Sequence, residues 1–222
     1  MPDSGRFPDR AAAGQALAAA LSSPEARRKW DLRDVVVLGL PRGGVPVAAP
    51  VALALGAPLD VLVVRKLGVP DQPELAMGAI AGVEGSIEVI RNERVLRRTG
   101  ISDDGWARVL ARETRALGER ETRLRIAPPL PVAGRSVVLV DDGLATGSTM
   151  RAAVAALRRR SPARVLVAVP IGAPSTCKAL DDLVDGLVCL RQPLDFSAVG
   201  QAYDDFEQTT DDEVRELLAA AA

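Results

Sequence analysis

The chain has 222 residues, 48% of them hydrophobic and 26% charged, and its 28 basic and 29 acidic side chains leave a formal net charge of −1. That suffices for one sizeable core but not for two generous domains, and with 19 Gly and 16 Pro it is neither disordered nor collagen-like. The balanced charge argues against a dedicated nucleic-acid binder, and the lack of any histidine excludes Ser–His–Asp or Cys–His catalysis and His-ligated metals.

In chain order, Asp3, Arg6, Asp9 and Arg10 leave no room near the start for the apolar segment of a secretion signal. Residues 9–21 are expected to form a leading helix with Asp9 as N-cap and Pro24 beyond its end. Val35–Leu40 is a β-branched run suited to a buried parallel strand, and Val47–Leu55 a helix bent or delayed by Pro50. The uncharged stretch Gly43–Leu59 is short for a membrane span and is broken by Pro46, Pro50, Gly56 and Pro58. Leu59–Val64 predicts a second strand, and residues 77–90 a β-hairpin turning at Val83-Glu84-Gly85-Ser86. Residues 102–125 form a long charged helix capped by Ser102, with Trp106, Val109, Leu110, Leu117 and Leu124 as its apolar stripe.

After a connector at Ala127–Pro131 come strand Val137–Val140, helix Ser148–Arg159, strand Val165–Val169, helix Ser175–Leu183 and a weaker strand at Gly186–Leu190. Strands alternating with helices predict an α/β layered sheet. From Pro193 the chain turns acidic and gathers Phe196, Tyr203 and Phe206, before Thr210 caps a final helix starting at Asp211. Cys177 and Cys189 are too few and too far apart for a zinc knuckle or a CxxC pair, and read as small buried hydrophobes.

The sharpest chemical signal is Val137–Met150, VVLVDDGLATGSTM. A buried strand ends in two adjacent carboxylates, Asp141 and Asp142, and Gly143, Thr146, Gly147, Ser148 and Thr149 then lead into a helix. Backbone amides at a helix N-terminus, flanked by hydroxyls, make a cradle for a monophosphate. The carboxylates suit sugar hydroxyls or a hydrated metal, so the combination asks for a sugar phosphate. A Walker A loop is ruled out because Ser148 stands where its lysine should be, and the loop's two glycines do not make GxGxxG.

This strand, acid pair and TGST loop resemble the signature of the type I phosphoribosyltransferases. Two further segments, weak by themselves, fit the resemblance. Pro41-Arg42-Gly43-Gly44-Val45 is similar to the family's pyrophosphate loop, where paired glycines admit an anion and Arg42 can pair with it. Val63-Val64-Arg65-Lys66-Leu67-Gly68 is similar to the basic end of the family's second strand. Of the 28 basic residues only Lys29, Lys66 and Lys178 are lysines, so a lysine at this point suggests a need for a compact ammonium. All three segments follow candidate strands, where ligands bind in open α/β sheets.

The resemblance implies a three-layer α/β/α fold around a mostly parallel central sheet, in a single domain with a core at about 34–190, a mobile loop and hairpin at about 67–100, and a small hood from the termini that includes 191–222. It implies phosphoribosyl pyrophosphate as donor, a nitrogenous base as acceptor, and Mg2+ near Asp141 and Asp142, held through water or substrate oxygens. Asp141, Asp142, Arg42 and Lys66 would be catalytic. Gly43, Gly44, Arg65, Ala145, Thr146, Gly147, Ser148 and Thr149 would complete the donor site, and Tyr203 and Phe206 would contact the base. Ala145 departs from 6-oxopurine relatives, which carry an Asp there, and so places adenine ahead of hypoxanthine and guanine. A cytoplasmic homodimer in nucleotide salvage, with no nucleic-acid or membrane partner, completes the expectation. The alternatives are a regulator that senses the donor without turnover and a hydrolase using the same site.

Overall fold

Alternate side chains of the central strands enter two separate cores. The computed structural model of the chain describes residues 5–221, so Asp3 lies outside the described residues. Strands β1 (Val35–Gly39), β2 (Leu59–Val61), β6 (Ser136–Val140), β7 (Arg164–Ile171) and β8 (Gly186–Arg191) form a parallel sheet in the order β2-β1-β6-β7-β8. Val35, Val37, Val138, Val140, Leu166 and Ala168 face a core shared with α1 (Arg10–Ser22) and α3 (Gly44–Leu55). Val36, Leu38, Val137, Leu139, Val165 and Val167 face the other, shared with α6 (Ser148–Arg158) and α7 (Pro174–Asp181). Burying each such Val or Leu contributes about 1.5–3 kcal/mol, which is why these strands read as continuous apolar runs. The three-layer expectation is met.

Local signals place most helix ends. The Asp9 carboxylate accepts from the Ala12 amide at 2.7 Å, and Ser102 caps α5 (Asp103–Leu124) through the Gly105 amide at 3.2 Å. Thr210 and Glu213 form a reciprocal capping box on α8 (Asp211–Ala220). α3 begins at Gly44 rather than at Val47. Pro46 falls in the first turn, where its missing N–H costs little, and Pro50 sits within the helix without ending it. Gly14 lets α1 approach this segment: a Cβ there would lie 2.6 Å from the Val47 carbonyl oxygen. Pro24 opens a short helix, α2 (Pro24–Lys29), and both cysteines are free thiols, Cys177 buried and Cys189 half-buried.

The predicted strand 59–64 is divided. β2 stops at Val61, and β3 (Val64–Val69) enters a second, antiparallel sheet with β4 (Gln72–Val83) and β5 (Ser86–Arg91). Leu62 and Val63 are buried between the two sheets, so apolar continuity could not mark the break. The hairpin turns at Glu84 and Gly85, both with positive φ, as a tight two-residue connection requires. The segment 67–100, expected to hold a loop, is mostly strand, with a turn at Pro70–Asp71 and helix α4 (Glu93–Thr99). This sheet packs on α5 and α6. Buried Asp60 in β2 accepts from the Leu130 amide and from Arg125, fixing the connector that follows α5. Among the described residues no helix is long and apolar enough to cross a membrane.

Candidate active site

β1 and β6 lie side by side, but the chain leaves them in opposite directions, toward β2 and toward β7. A crevice opens at the carboxyl ends of two such strands, where α/β sheets bind ligands. The loop after β1 carries Pro41, Arg42 and Gly43, with a cis peptide between Pro41 and Arg42. The loop after β6 carries Asp141 to Gly147. They touch through glycine. A Cβ on Gly43 would collide with the Asp142 carboxylate, and one on Gly44 would lie 2.6 Å from the Val140 carbonyl oxygen and 2.9 Å from Asp141 Cα.

The acid pair is built with asymmetric support. Asp141 Oδ1 accepts from the Asp142 amide at 2.9 Å, whereas Asp142 Oδ2 accepts a hydrogen bond from Arg10 Nε at 2.9 Å. The Tyr203 hydroxyl donates to the Asp142 carbonyl at 2.6 Å. Burial, followed by the neighbouring Asp142 charge, pushes Asp141 well above the usual carboxylate range. Burial also raises Asp142, although the Arg10 hydrogen bond and charge oppose it. Two carboxylates facing one guanidinium leave negative charge in a poorly solvated place.

The rest of that loop is latched to the sheet. The Leu144 amide donates to Ile171 O at 2.9 Å, the Ala173 amide to Leu144 O at 2.8 Å, and Thr176 Oγ1 to Ala145 O at 2.6 Å. Gly147 adopts φ +66, the left-handed conformation that glycine favours, and α6 starts behind it without a side-chain cap. Thr146 Oγ1 and Ser148 Oγ lie 3.2 Å apart at this uncapped end, and Ala145 and Thr146 are exposed. The helix start is chemically suited to an anion.

The basic residues behave differently. Arg42 pairs with Asp211 at 3.3 Å, and Arg65 with Glu113 at 2.7 Å. Burial pushes the Glu113 carboxyl up, but hydrogen bonds and charge from Arg65 and Arg112 bring it below its ordinary value. Lys66, on β3, is exposed and has no ion pair among the described residues. Residues from distant elements thus hold the site: Arg10 of α1, Glu113 and Arg120 of α5, and Asp211 of α8. Nothing local marks them in the sequence.

Tyr203 needs correction. Its side chain is 1% exposed, packed between Phe7 and Phe206, and offers no open face to a base. Burial, with the Asp142 charge, raises its phenol. Phe206 stays 38% exposed, with Arg10 over its ring at 3.9 Å. Here the first described residues meet the tail: the Phe7 amide donates to Ala202 O, and the Asp204 amide to Phe7 O.

The model of the phosphoribosyl transferase domain matches residues 8–206, which include both loops and every element around them except α8. The chain belongs to the phosphoribosyl transferase domain family. A Mycobacterium tuberculosis protein named "Putative phosphoribosyl transferase", found in strains CDC 1551 and H37Rv, is 46% identical over 216 residues, covering 97% of this chain. The chain spans about half the length of these curated relatives, 47%. A crystal structure of a Thermus thermophilus protein is similar over 98% of this chain and 99% of its own, at 43% identity and a TM-score of 0.84. The family match therefore extends through the β3–β5 sheet and into the tail as far as Phe206, beyond the strands that bear the motifs.

Proposed function

We propose that the chain is a transferase domain that uses phosphoribosyl pyrophosphate to attach ribose 5-phosphate to a nitrogenous base. What supports it most is the meeting of the acid pair, the uncapped start of α6 and the glycine-opened loop bearing Arg42 at one switch point between β1 and β6. The base nitrogen forms a bond to the anomeric carbon as the bond from that carbon to pyrophosphate breaks. Asp141 and Asp142 accept hydrogen bonds from the ribose hydroxyls, and their charge favours the oxocarbenium-like state. Thr146, Gly147, Ser148 and Thr149 hold the 5-phosphate. Arg42, Arg65 and Lys66 meet the leaving pyrophosphate, and no step calls for histidine.

Among the described residues no three His, Cys, Asp or Glu side chains gather into a metal cage. The acid pair does fit a magnesium ion carried largely by substrate oxygens, since the ion would relieve the buried excess of negative charge. When bound, Mg2+ supplies charge neutralisation on the diphosphate. Ala145 exposes a methyl group that cannot accept from a purine ring N–H, which supports adenine ahead of hypoxanthine and guanine. Phe206 offers a flat surface without discrimination, and covering the site falls to the β3–β5 sheet. A homodimer in cytoplasmic nucleotide salvage belongs to the same proposal.

The deciding experiment is pyrophosphate release with donor, magnesium and a panel of adenine, hypoxanthine, guanine, xanthine, uracil and orotate. Base-dependent release is expected, fastest with adenine. Donor binding without release on any base would identify a sensor instead, and release without a base a hydrolase. Turnover of hypoxanthine or guanine above about 10⁴ M⁻¹s⁻¹ in kcat/KM would overturn the inference from Ala145.

A further inference from the structure

Three guanidiniums converge on one carboxylate beside the β1 loop. Arg42 Nη1 lies 3.3 Å from Asp211 Oδ1, Arg120 Nη1 3.7 Å from the same oxygen, and Arg123 Nε 3.5 Å from Asp211 Oδ2. The arginines come from a loop and from the last turns of α5, and the carboxylate from the first turn of α8. Among the described residues Arg42, Arg120 and Arg123 have no other ion pair, so two positive charges of this cluster lack an anion. The crowding is felt at Arg120: burial first, then the charges of Arg42, Arg123 and Arg65, push its guanidinium down, while Asp211 pushes it up. A half-buried cluster of arginines held together by a single carboxylate has the charge and fork geometry for a polyanion.

We propose that Asp211 is a built-in competitor for the donor's pyrophosphate. Its carboxylate holds Arg42, Arg120 and Arg123 in place until the pyrophosphate displaces it, and Arg120 and Arg123 then bind that group alongside Arg42. This rests on the reading that Arg42 faces the pyrophosphate, and it adds two binding residues from α5 and a regulatory contact from the tail. The Asp211 side chain is 29% exposed at the first turn of α8, so a rotamer change is enough to vacate the cluster. The Thr210–Glu213 capping box anchors the helix independently of Asp211, so α8 stays in place.

The test is calorimetric titration of the full chain with magnesium pyrophosphate, and in parallel with ribose 5-phosphate, which lacks the competing group. Asp211→Asn, with Asp211→Ser as a second variant in case the first folds poorly, should bind pyrophosphate about threefold to tenfold more tightly, the scale of losing a half-buried ion-pair competitor. Arg120→Gln and Arg123→Gln should each weaken pyrophosphate binding by about fivefold or more, and ribose 5-phosphate should bind equally to all four variants. If the wild type binds pyrophosphate but the Asp211 variants bind it no better, or less well, the competitor is overturned while the transferase reading stands. An equal gain for ribose 5-phosphate would also overturn it, because the effect would then be general charge rather than occupancy. Failure of wild type and variants alike to bind pyrophosphate would overturn both readings.

Discussion

The two loops that build the site sit on adjacent strands, yet they are held by opposite means. The loop after β6 is fixed by its own backbone. Leu144 bonds across to Ile171 and Ala173, Gly147 turns left-handed, and the acid pair lies against Gly43 and Gly44. The loop after β1 carries its chemistry on a long side chain, Arg42, whose partner Asp211 is 169 positions away. Backbone bonding to the neighbouring strand gives rigid geometry, whereas a half-buried ion pair between long side chains gives adjustable charge. On the proposed function, sugar positioning falls to the first loop and the leaving group to the second, and that division can be broken by substitution.

The largest effect should follow from removing both charges of the acid pair. Asp141→Asn with Asp142→Asn is expected to weaken magnesium-dependent donor binding at least a hundredfold by calorimetry, because each charge-assisted bond contributes about 1.5–3 kcal/mol. Stability should move the other way. Burial raises the folded-state Asp141 carboxyl above its ordinary value of 3.8, so over that window the native chain keeps a proton that the unfolded chain has released. Wild-type stability from this group is therefore present at low pH and declines as pH rises through the raised value. Asp141→Asn should flatten that decline in pH-dependent thermal melts. A steeper decline in the variant would mean that the ionised form is the one the fold favours.

Next comes Gly44→Ala, whose added Cβ meets backbone rather than a mobile side chain, 2.6 Å from Val140 O. We expect a loss of about 1–3 kcal/mol in denaturant unfolding together with weaker donor binding, since the two loops must part. A variant as stable as wild type would show that their contact is slack.

Smaller and more selective losses are expected from Arg42→Ala and Lys66→Ala. Each should weaken the donor by about tenfold or more while leaving ribose 5-phosphate nearly unchanged. Equal losses for both ligands would place these residues in support of the loop. The smallest effect on donor affinity is expected from Tyr203→Phe. It removes one hydrogen bond, 2.6 Å long, to the Asp142 carbonyl and should cost about 1–3 kcal/mol of stability with a change in donor affinity under tenfold. A greater loss of affinity than in Lys66→Ala would make the hood part of the acid pair's geometry.

The chemistry-bearing loops are legible in the sequence because their constraints are local. A short β-branched run bounded by turn residues suits a buried strand, two adjacent aspartates at its end point to chemistry, and glycines with hydroxyls before a helix leave amides open to an anion. The same locality makes Asp9, Ser102 and Thr210 recognisable as caps. Pattern misleads wherever two environments look alike in one dimension. Leu59–Val64 is apolar at five of its six positions, so nothing in its composition shows the chain passing from one sheet to another between Val61 and Val64. The gathering of aromatics in the tail suggests Tyr203 as a ring for a base. Only the packing of Phe7 from the other end of the chain shows it sealed inside.

What the sequence determined by itself, then, is the layered α/β frame, most helix ends and the two loops with their acids, glycines and hydroxyls. Each follows from apolar periodicity or from backbone preferences spanning a few residues. The tertiary structure alone decided which charges those loops face: Arg10 on Asp142, Glu113 on Arg65, and Asp211 among Arg42, Arg120 and Arg123. Charged side chains at the surface carry no periodic signature of their partners, and such pairs exist only once the folded core has brought distant segments within a few ångströms.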